Sequence, residues 1–165
     1  VTSNDCNLVL GDGMVIDPMC GTGGILIESA LTGRETLGID FDPVMVDGCQ
    51  QNIDWAEVDA KVVRGDATRY ELPDDVAAVV VDPPYGRNSP SDEKLIEDML
   101  ENVRKQSPES KLVVILPVAP GGDDLDEEIT TDIKLPGYEI ETAYGIRVHK
   151  SLGRVLIIAR ASTQN

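Results

Sequence analysis

The chain has 165 residues, enough for one domain with a sizeable core, and 41% of them are hydrophobic, as in an ordinary globular protein. Thirty acidic residues against fourteen basic ones give a net charge of −16, with the acids spread along the chain; this argues against simple electrostatic binding of nucleic acid at low salt and suits a high-salt cytoplasm, where screening removes self-repulsion. No apolar run is long enough for a membrane span or a signal peptide, and the three cysteines, Cys6, Cys20 and Cys49, have no metal-binding spacing, which fits reduced thiols in a cytosol.

The apolar pattern predicts alternating strands and helices. Met14–Asp17 reads as a short strand, followed by the glycine-rich turn Pro18-Met19-Cys20-Gly21-Thr22-Gly23 and a helix from about Gly24 to Leu31. Thr32-Gly33 ends that helix with a C-cap glycine. Strand, glycine turn and helix start make a nucleotide-binding α/β unit. The dinucleotide pattern is not met, because its third glycine, counted from Gly21, falls on Leu26; no Gly-Lys-Ser/Thr follows for a P-loop either. The glycines therefore suit a ligand that lacks a pyrophosphate.

Thr36–Asp40 is the second strand. Pro43 opens a helix to about Ala56, with Asp42 as its N-cap. Lys61–Arg64 and Ala77–Asp82 are the third and fourth strands. A helix from about Ser91 to Lys105 carries Leu95, Ile96, Met99, Leu100 and Val103 at helical spacing. Leu112–Leu116 is the fifth strand, a weak acidic helix is predicted over Asp123–Thr131, and about Glu139–Val148 and Leu152–Ala161 form an antiparallel hairpin. The expected fold is α/β: one domain over 1–165, doubly wound, with a mostly parallel seven-stranded sheet and a C-terminal antiparallel hairpin.

Ligands of such sheets bind at the carboxyl ends of the strands. An acid follows each of the first four strands: Asp17, Asp40, Asp66 and Asp82. Asp40 is placed to accept from both hydroxyls of a ribose, since Asp42 is the better helix cap. Asp66, in Arg64-Gly65-Asp66-Ala67, accepts from an adenine amino group or is an ordinary turn acid. Phe41 flanks the adenine or fills core.

The run Asp82-Pro83-Pro84-Tyr85-Gly86 makes a rigid corner directly after five apolar residues. Its acid accepts from an amine, its prolines carry no N–H donors, leaving carbonyl oxygens for a substrate, and its tyrosine offers a flat stacking face. Together these suit the exocyclic amine of a planar heterocycle; the plainer alternatives are a turn acid and a packing tyrosine. Near the end, Arg147-Val148-His149-Lys150-Ser151-Leu152-Gly153-Arg154 concentrates bases in a base-poor chain. If the sixth strand runs parallel to the first five, this turn lies at the ligand edge and His149, Lys150 and Ser151 are phosphate contacts; otherwise it is a hairpin turn. Arg87 is a further candidate for meeting RNA backbone.

Three motifs carry a resemblance: Asp17-Pro18-Met19-Cys20-Gly21-Thr22-Gly23-Gly24-Ile25-Leu26-Ile27-Glu28, Asp82-Pro83-Pro84-Tyr85-Gly86, and Arg147-Val148-His149-Lys150-Ser151-Leu152. From about Gly11 onward the chain resembles the Rossmann-like domain of S-adenosylmethionine-dependent RNA methyltransferases, most of all the archaeal tRNA guanine-N2 enzymes that act on guanosine 10. Met19 stands where phenylalanine is common. The resemblance implies S-adenosylmethionine as cofactor, with Asp17, Gly21, Thr22 and Gly23 at its amino-acid part, Asp40 and Phe41 at the ribose and adenine, Asp66 and Ala67 at the adenine, and Asp82 beside the transferred methyl. It implies catalysis by Asp82, Pro83, Pro84 and Tyr85, and a tRNA substrate met by Tyr85, Arg87, His149, Lys150 and Ser151, with no metal.

Such enzymes usually carry an N-terminal tRNA-binding domain, often of the THUMP type, and a helix ahead of the first strand; neither is expected within this chain. The expected setting is a cytoplasmic protein, monomeric, whose tRNA-binding part is separate or missing here. Three other readings stay open: an adenine-N6 nucleic-acid methyltransferase, a small-molecule amine methyltransferase, and a catalytically silent module that binds cofactor or a partner.

Overall fold

A computed structural model describes residues 12–83, 90–118, 133–149 and 152–162. The elements follow in the order β1 (Met14–Asp17), α1 (Gly24–Leu31), β2 (Thr36–Asp40), α2 (Pro43–Ala56), β3 (Lys61–Arg64), β4 (Val76–Val81), α3 (Pro90–Gln106), β5 (Lys111–Val118), β6 (Tyr138–His149) and β7 (Leu152–Ala161). The seven strands form one sheet in the order β3-β2-β1-β4-β5-β7-β6.

The first five strands are mutually parallel. β7 is antiparallel to both β5 and β6. β6 therefore runs with the first five, the first of the two alternatives open from the sequence, and its last residue, His149, lies at their carboxyl edge. The expected fold class holds.

Each helix covers sheet for reasons visible in its sequence. Met99, Leu100 and Val103 of α3 share one buried cluster with Ile16, Val79, Val81, Leu112, Val114, Val155 and Ile157 of the sheet; burying each such side chain contributes about 2 kcal/mol. A second cluster joins Cys20, Leu26, Cys49 and Ile53 under α1 and α2. Asp42 caps α2 as expected: its carboxylate accepts from the Val44 N–H at 2.9 Å, and Pro43 occupies the first turn.

The differences lie at element ends. β4 starts at Val76 and ends at Val81, so Asp82 is the first residue beyond the strand. β5 runs on through Pro117 to Val118, where the sequence reading stopped at Leu116. Its last partner in β4 is opposite Val114, and beyond that point it pairs with β7 alone. A proline without an N–H is tolerated where one side of the strand is unpaired. The helix expected over 123–131 lies outside the described residues. Among the described residues, no helix is long and apolar enough to cross a membrane.

Candidate active site

The glycine turn after β1 is tied to the end of β2. Cys20 donates its N–H to the Ile39 carbonyl at 3.0 Å. Gly21 donates its N–H to Oδ2 of Asp40, and Asp42 donates its N–H to Oδ1 of the same carboxylate, both at 2.9 Å. Each oxygen of a carboxylate has two lone-pair sites, so Asp40 keeps capacity for a ligand hydroxyl while fixing the turn.

Two glycines in the turn serve different ends. Gly21 has φ +52, and a Cβ placed there would meet no atom within 4 Å; its bareness leaves space at the ligand edge. Gly23 has φ +89, and a Cβ there would lie 2.5 Å from Sγ of Cys49. Gly23 therefore lets α2 pack against the turn. Thr22 is exposed, and its carbonyl accepts from Nδ2 of Asn52 at 2.9 Å.

A cleft of about 620 Å³ opens at the carboxyl edge. Of the residues singled out from the sequence, Gly21, Asp40, Phe41, Asp66, Ala67 and Asp82 form its wall. Pro18, Met19, Met45, Gly65 and Leu95 complete it and make much of it apolar; these were not picked out from the sequence as lining residues. Phe41 is 67% exposed, so the alternative that it fills core is excluded. The Arg64 guanidinium lies 6.0 Å from the centre of its ring, and Nε of Arg64 donates to the Phe41 carbonyl at 3.3 Å. A fixed, exposed ring beside an apolar cleft is a stacking surface for a planar heterocycle.

Asp66 also anchors its own turn. Its Oδ1 accepts from the N–H and the hydroxyl of Thr68 at 3.1 and 2.7 Å, and its Oδ2 pairs with Nε of Arg69 at 3.1 Å. The Thr68 hydroxyl, foremost, holds this carboxyl below the usual range. α3 braces the same segment: Nδ2 of Asn102 donates to the carbonyls of Ala67 and Tyr70 at 3.0 and 3.1 Å, and Gln106 accepts from the Leu72 N–H at 2.9 Å.

Asp17 does not stand in the cleft wall. It is 2% exposed, beneath the turn, and accepts from the Met19 N–H at 3.1 Å. Burial pushes its carboxyl up to about 7; the Met19 bond opposes this, and the neighbouring charges of Asp40 and Asp82 add to it. Three of the four predicted acids thus gather closely enough to feel one another.

The arrangement at Asp82 was not foreseen. Arg154 of β7 donates from Nη1 to Oδ2 of Asp82 at 2.7 Å. Oδ1 of Asp82 is buried and has no hydrogen-bond partner among the described residues. The available signal was positional: β7 runs antiparallel and begins at the ligand edge, so a long base near its start reaches that edge. Pro83 is buried directly after Asp82. Pro84, Tyr85, Arg87, Lys150 and Ser151 lie outside the described residues. His149 is placed by its backbone alone, as the last residue of β6 opposite Leu152.

The arrangement offers a fixed carboxylate acceptor, an exposed ring, a bare glycine turn and a carboxylate oxygen unpartnered among the described residues around one apolar cleft. A family profile described as RMKL-like, methyltransferase domain (UPF0020) matches residues 7–119. The chain belongs to this family. As a methyltransferase domain it is similar to two proteins named tRNA (guanine(10)-N2)-dimethyltransferase. One, from Methanothermobacter thermautotrophicus, is 35% identical over 86% of this chain. The other, from Pyrococcus abyssi, is 33% identical over 94%. The chain spans less than half the length of these relatives, 42% and 47%. Its fold matches the crystal structure of TrmN from Thermus thermophilus, with a TM-score of 0.69 and 17% identity, covering 97% of this chain and 48% of that one. It also matches the PH0226 protein from Pyrococcus horikoshii, with a TM-score of 0.71 and 16% identity, covering 96% and 87%.

Proposed function

We propose that this methyltransferase domain uses S-adenosylmethionine to methylate the exocyclic N2 amine of a guanosine in tRNA, at position 10, once and then a second time. The observation that carries the reading is the buried Oδ1 of Asp82, unpartnered among the described residues, in the wall of a cleft that Asp40, fixed at the end of β2, and Asp66 also line. A buried acceptor without a donor is costly, and an amine hydrogen answers it. The two relatives named for guanine-N2 dimethylation support the substrate and the second methyl.

The cleft residues fit the cofactor. Gly21 leaves room for its amino-acid part, Asp40 accepts from the ribose hydroxyls, Phe41 faces the adenine, and Asp66 with Ala67 borders the adenine edge. Asp17, Thr22 and Gly23 contribute from behind by shaping the turn. When bound, S-adenosylmethionine would supply a methyl carbon that an amine lone pair attacks, with S-adenosylhomocysteine leaving as the neutral thioether.

Guanine N2 is a weak nucleophile because its lone pair is delocalised into the ring. Asp82 Oδ1 and the Pro83 carbonyl accept its two hydrogens and localise that pair; Asp82, directly or through water, then takes one proton. The work of these residues is positioning. Tyr85 stacks on the target base, flipped from the RNA, while Arg87, His149, Lys150 and Ser151 meet its backbone. With a net charge of −16, the domain works at high salt, where its self-repulsion is screened.

Calorimetric titration of S-adenosylmethionine in about 1 M potassium chloride, followed by transfer assays on unmodified tRNA and on adenine-containing RNA and DNA, tests the reading. Binding with transfer to tRNA guanosine is expected. Transfer to adenine alone would replace the substrate, and a folded protein that binds no cofactor would remove the reading altogether.

A further inference from the structure

We propose that Arg154 is a positioning residue for Asp82, holding one carboxylate oxygen so that the other faces the acceptor amine. This rests on the methyl-transfer reading. Asp82 is the first residue past β4, Arg154 is near the start of β7, and β5 runs between them. Two inter-strand spacings place β4 and β7 about 10 Å apart, a gap that a long side chain can cross. β5 pairs with β4 only as far as Val114 and Arg154 lies opposite Pro117, beyond the end of β4, so its side chain crosses β5 to reach Asp82.

The bond from Nη1 of Arg154 to Oδ2 of Asp82 is 2.7 Å long, short as charge-assisted bonds are. The two side chains are 34% and 31% exposed, so the pair contributes little to folding. Its effect is on orientation. The last torsion of an aspartate is broad and two-fold, and a free Asp82 would offer either oxygen in many directions. With Arg154 on Oδ2, Oδ1 is the oxygen with no partner among the described residues and is already desolvated. An amine with two hydrogens then needs a second acceptor, which the Pro83 carbonyl supplies. Lysine is a poor substitute, because an ammonium is a point charge without the planar fork of a guanidinium.

The test is single-turnover methyl transfer from labelled S-adenosylmethionine to an unmodified tRNA transcript, at saturating cofactor, by the wild type, Arg154→Met, Arg154→Lys, Asp82→Asn and the Arg154→Met/Asp82→Asn double variant. Arg154→Met is expected to slow transfer by about 10- to 100-fold with calorimetric cofactor affinity unchanged. Arg154→Lys should recover part of the rate, and the double variant should be no slower than Asp82→Asn. A readout free of activity is the ¹³C resonance of the Asp82 carboxyl, assigned by its loss in Asp82→Asn. It should move in Arg154→Met, or in Arg154→Lys if Arg154→Met does not fold.

An unchanged rate in Arg154→Met, a loss of cofactor affinity equal to the loss of rate, or an unmoved carboxyl resonance would each overturn the proposal. No transfer by the folded wild type would overturn the methyl-transfer reading instead, and the carboxyl resonance would still decide whether Arg154 holds Asp82.

Discussion

The backbone N–H of Gly21 donates to Oδ2 of Asp40 at 2.9 Å, so one carboxylate both fixes the glycine turn and lines the cleft beside it. Asp40→Ala should therefore do two things at once. It removes the acceptor of two backbone N–H groups, costing about 1–3 kcal/mol of stability, and it weakens cofactor binding at least tenfold. Asp40→Asn retains one acceptor oxygen and should recover part of the stability. Calorimetric titration and urea unfolding of the three proteins check this; equal cofactor affinity in Asp40→Ala would contradict it.

Gly21 and Gly23 should separate binding from folding. Gly21→Ala pays for its left-handed backbone with about 1–2 kcal/mol but meets no atom within 4 Å, so the protein should fold and bind cofactor weakly. Gly23→Ala adds to a φ of +89 a Cβ 2.5 Å from Sγ of Cys49; it should destabilise by about 2–4 kcal/mol or prevent folding. Thermal unfolding that ranks Gly21→Ala below Gly23→Ala would count against these assignments.

Asp17 should make stability depend on pH. Its carboxyl rises from the ordinary 3.8 to about 7 in the folded protein. Between those values the folded state binds more protons than the unfolded state, so stability falls as pH rises. The contribution is fully present below about pH 4 and is lost as pH passes 7; over the whole window it is on the order of 4 kcal/mol. Asp17→Asn has no charge to bury. Its stability relative to the wild type should grow by about 2–3 kcal/mol from pH 5 to 8, and a difference that does not vary with pH would contradict the account.

The excess of acids should make stability depend on salt. Thirty acids against fourteen bases repel one another, and raising potassium chloride from about 0.1 to 1 M shortens the screening length from about 10 to 3 Å. The melting temperature should rise over that range by several degrees. A flat profile would show that the acids are already well accommodated.

Much of this fold was legible because its signals are local. The helix from Pro43 to Ala56 announces itself through Asp42 and Pro43, and the glycine turn through Gly21 and Gly23. The carboxyl-edge acids Asp40, Asp66 and Asp82 could be read because a parallel sheet puts every strand end on one edge. Asp17 misled in part: it follows its strand like the others, but no sequence signal says that the turn closes over it. The Asp82–Arg154 pair was not legible, because the residues are 72 positions apart and meet only once β7 is known to lie beside β5. The extension of β5 past Pro117 was hidden for the same reason, since a proline reads as a strand end until one side of the strand is known to be unpaired.

In the proposed function Asp82 organises methyl transfer to guanine N2. The most direct measurement is nucleoside analysis by mass spectrometry of an unmodified tRNA transcript treated with S-adenosylmethionine and either the wild type or Asp82→Ala. The account predicts N2-methylguanosine and N2,N2-dimethylguanosine at position 10 with the wild type, and a loss of about 100-fold or more with Asp82→Ala. Equal product from the two proteins, or methyl groups found on adenine rather than guanine, would contradict it.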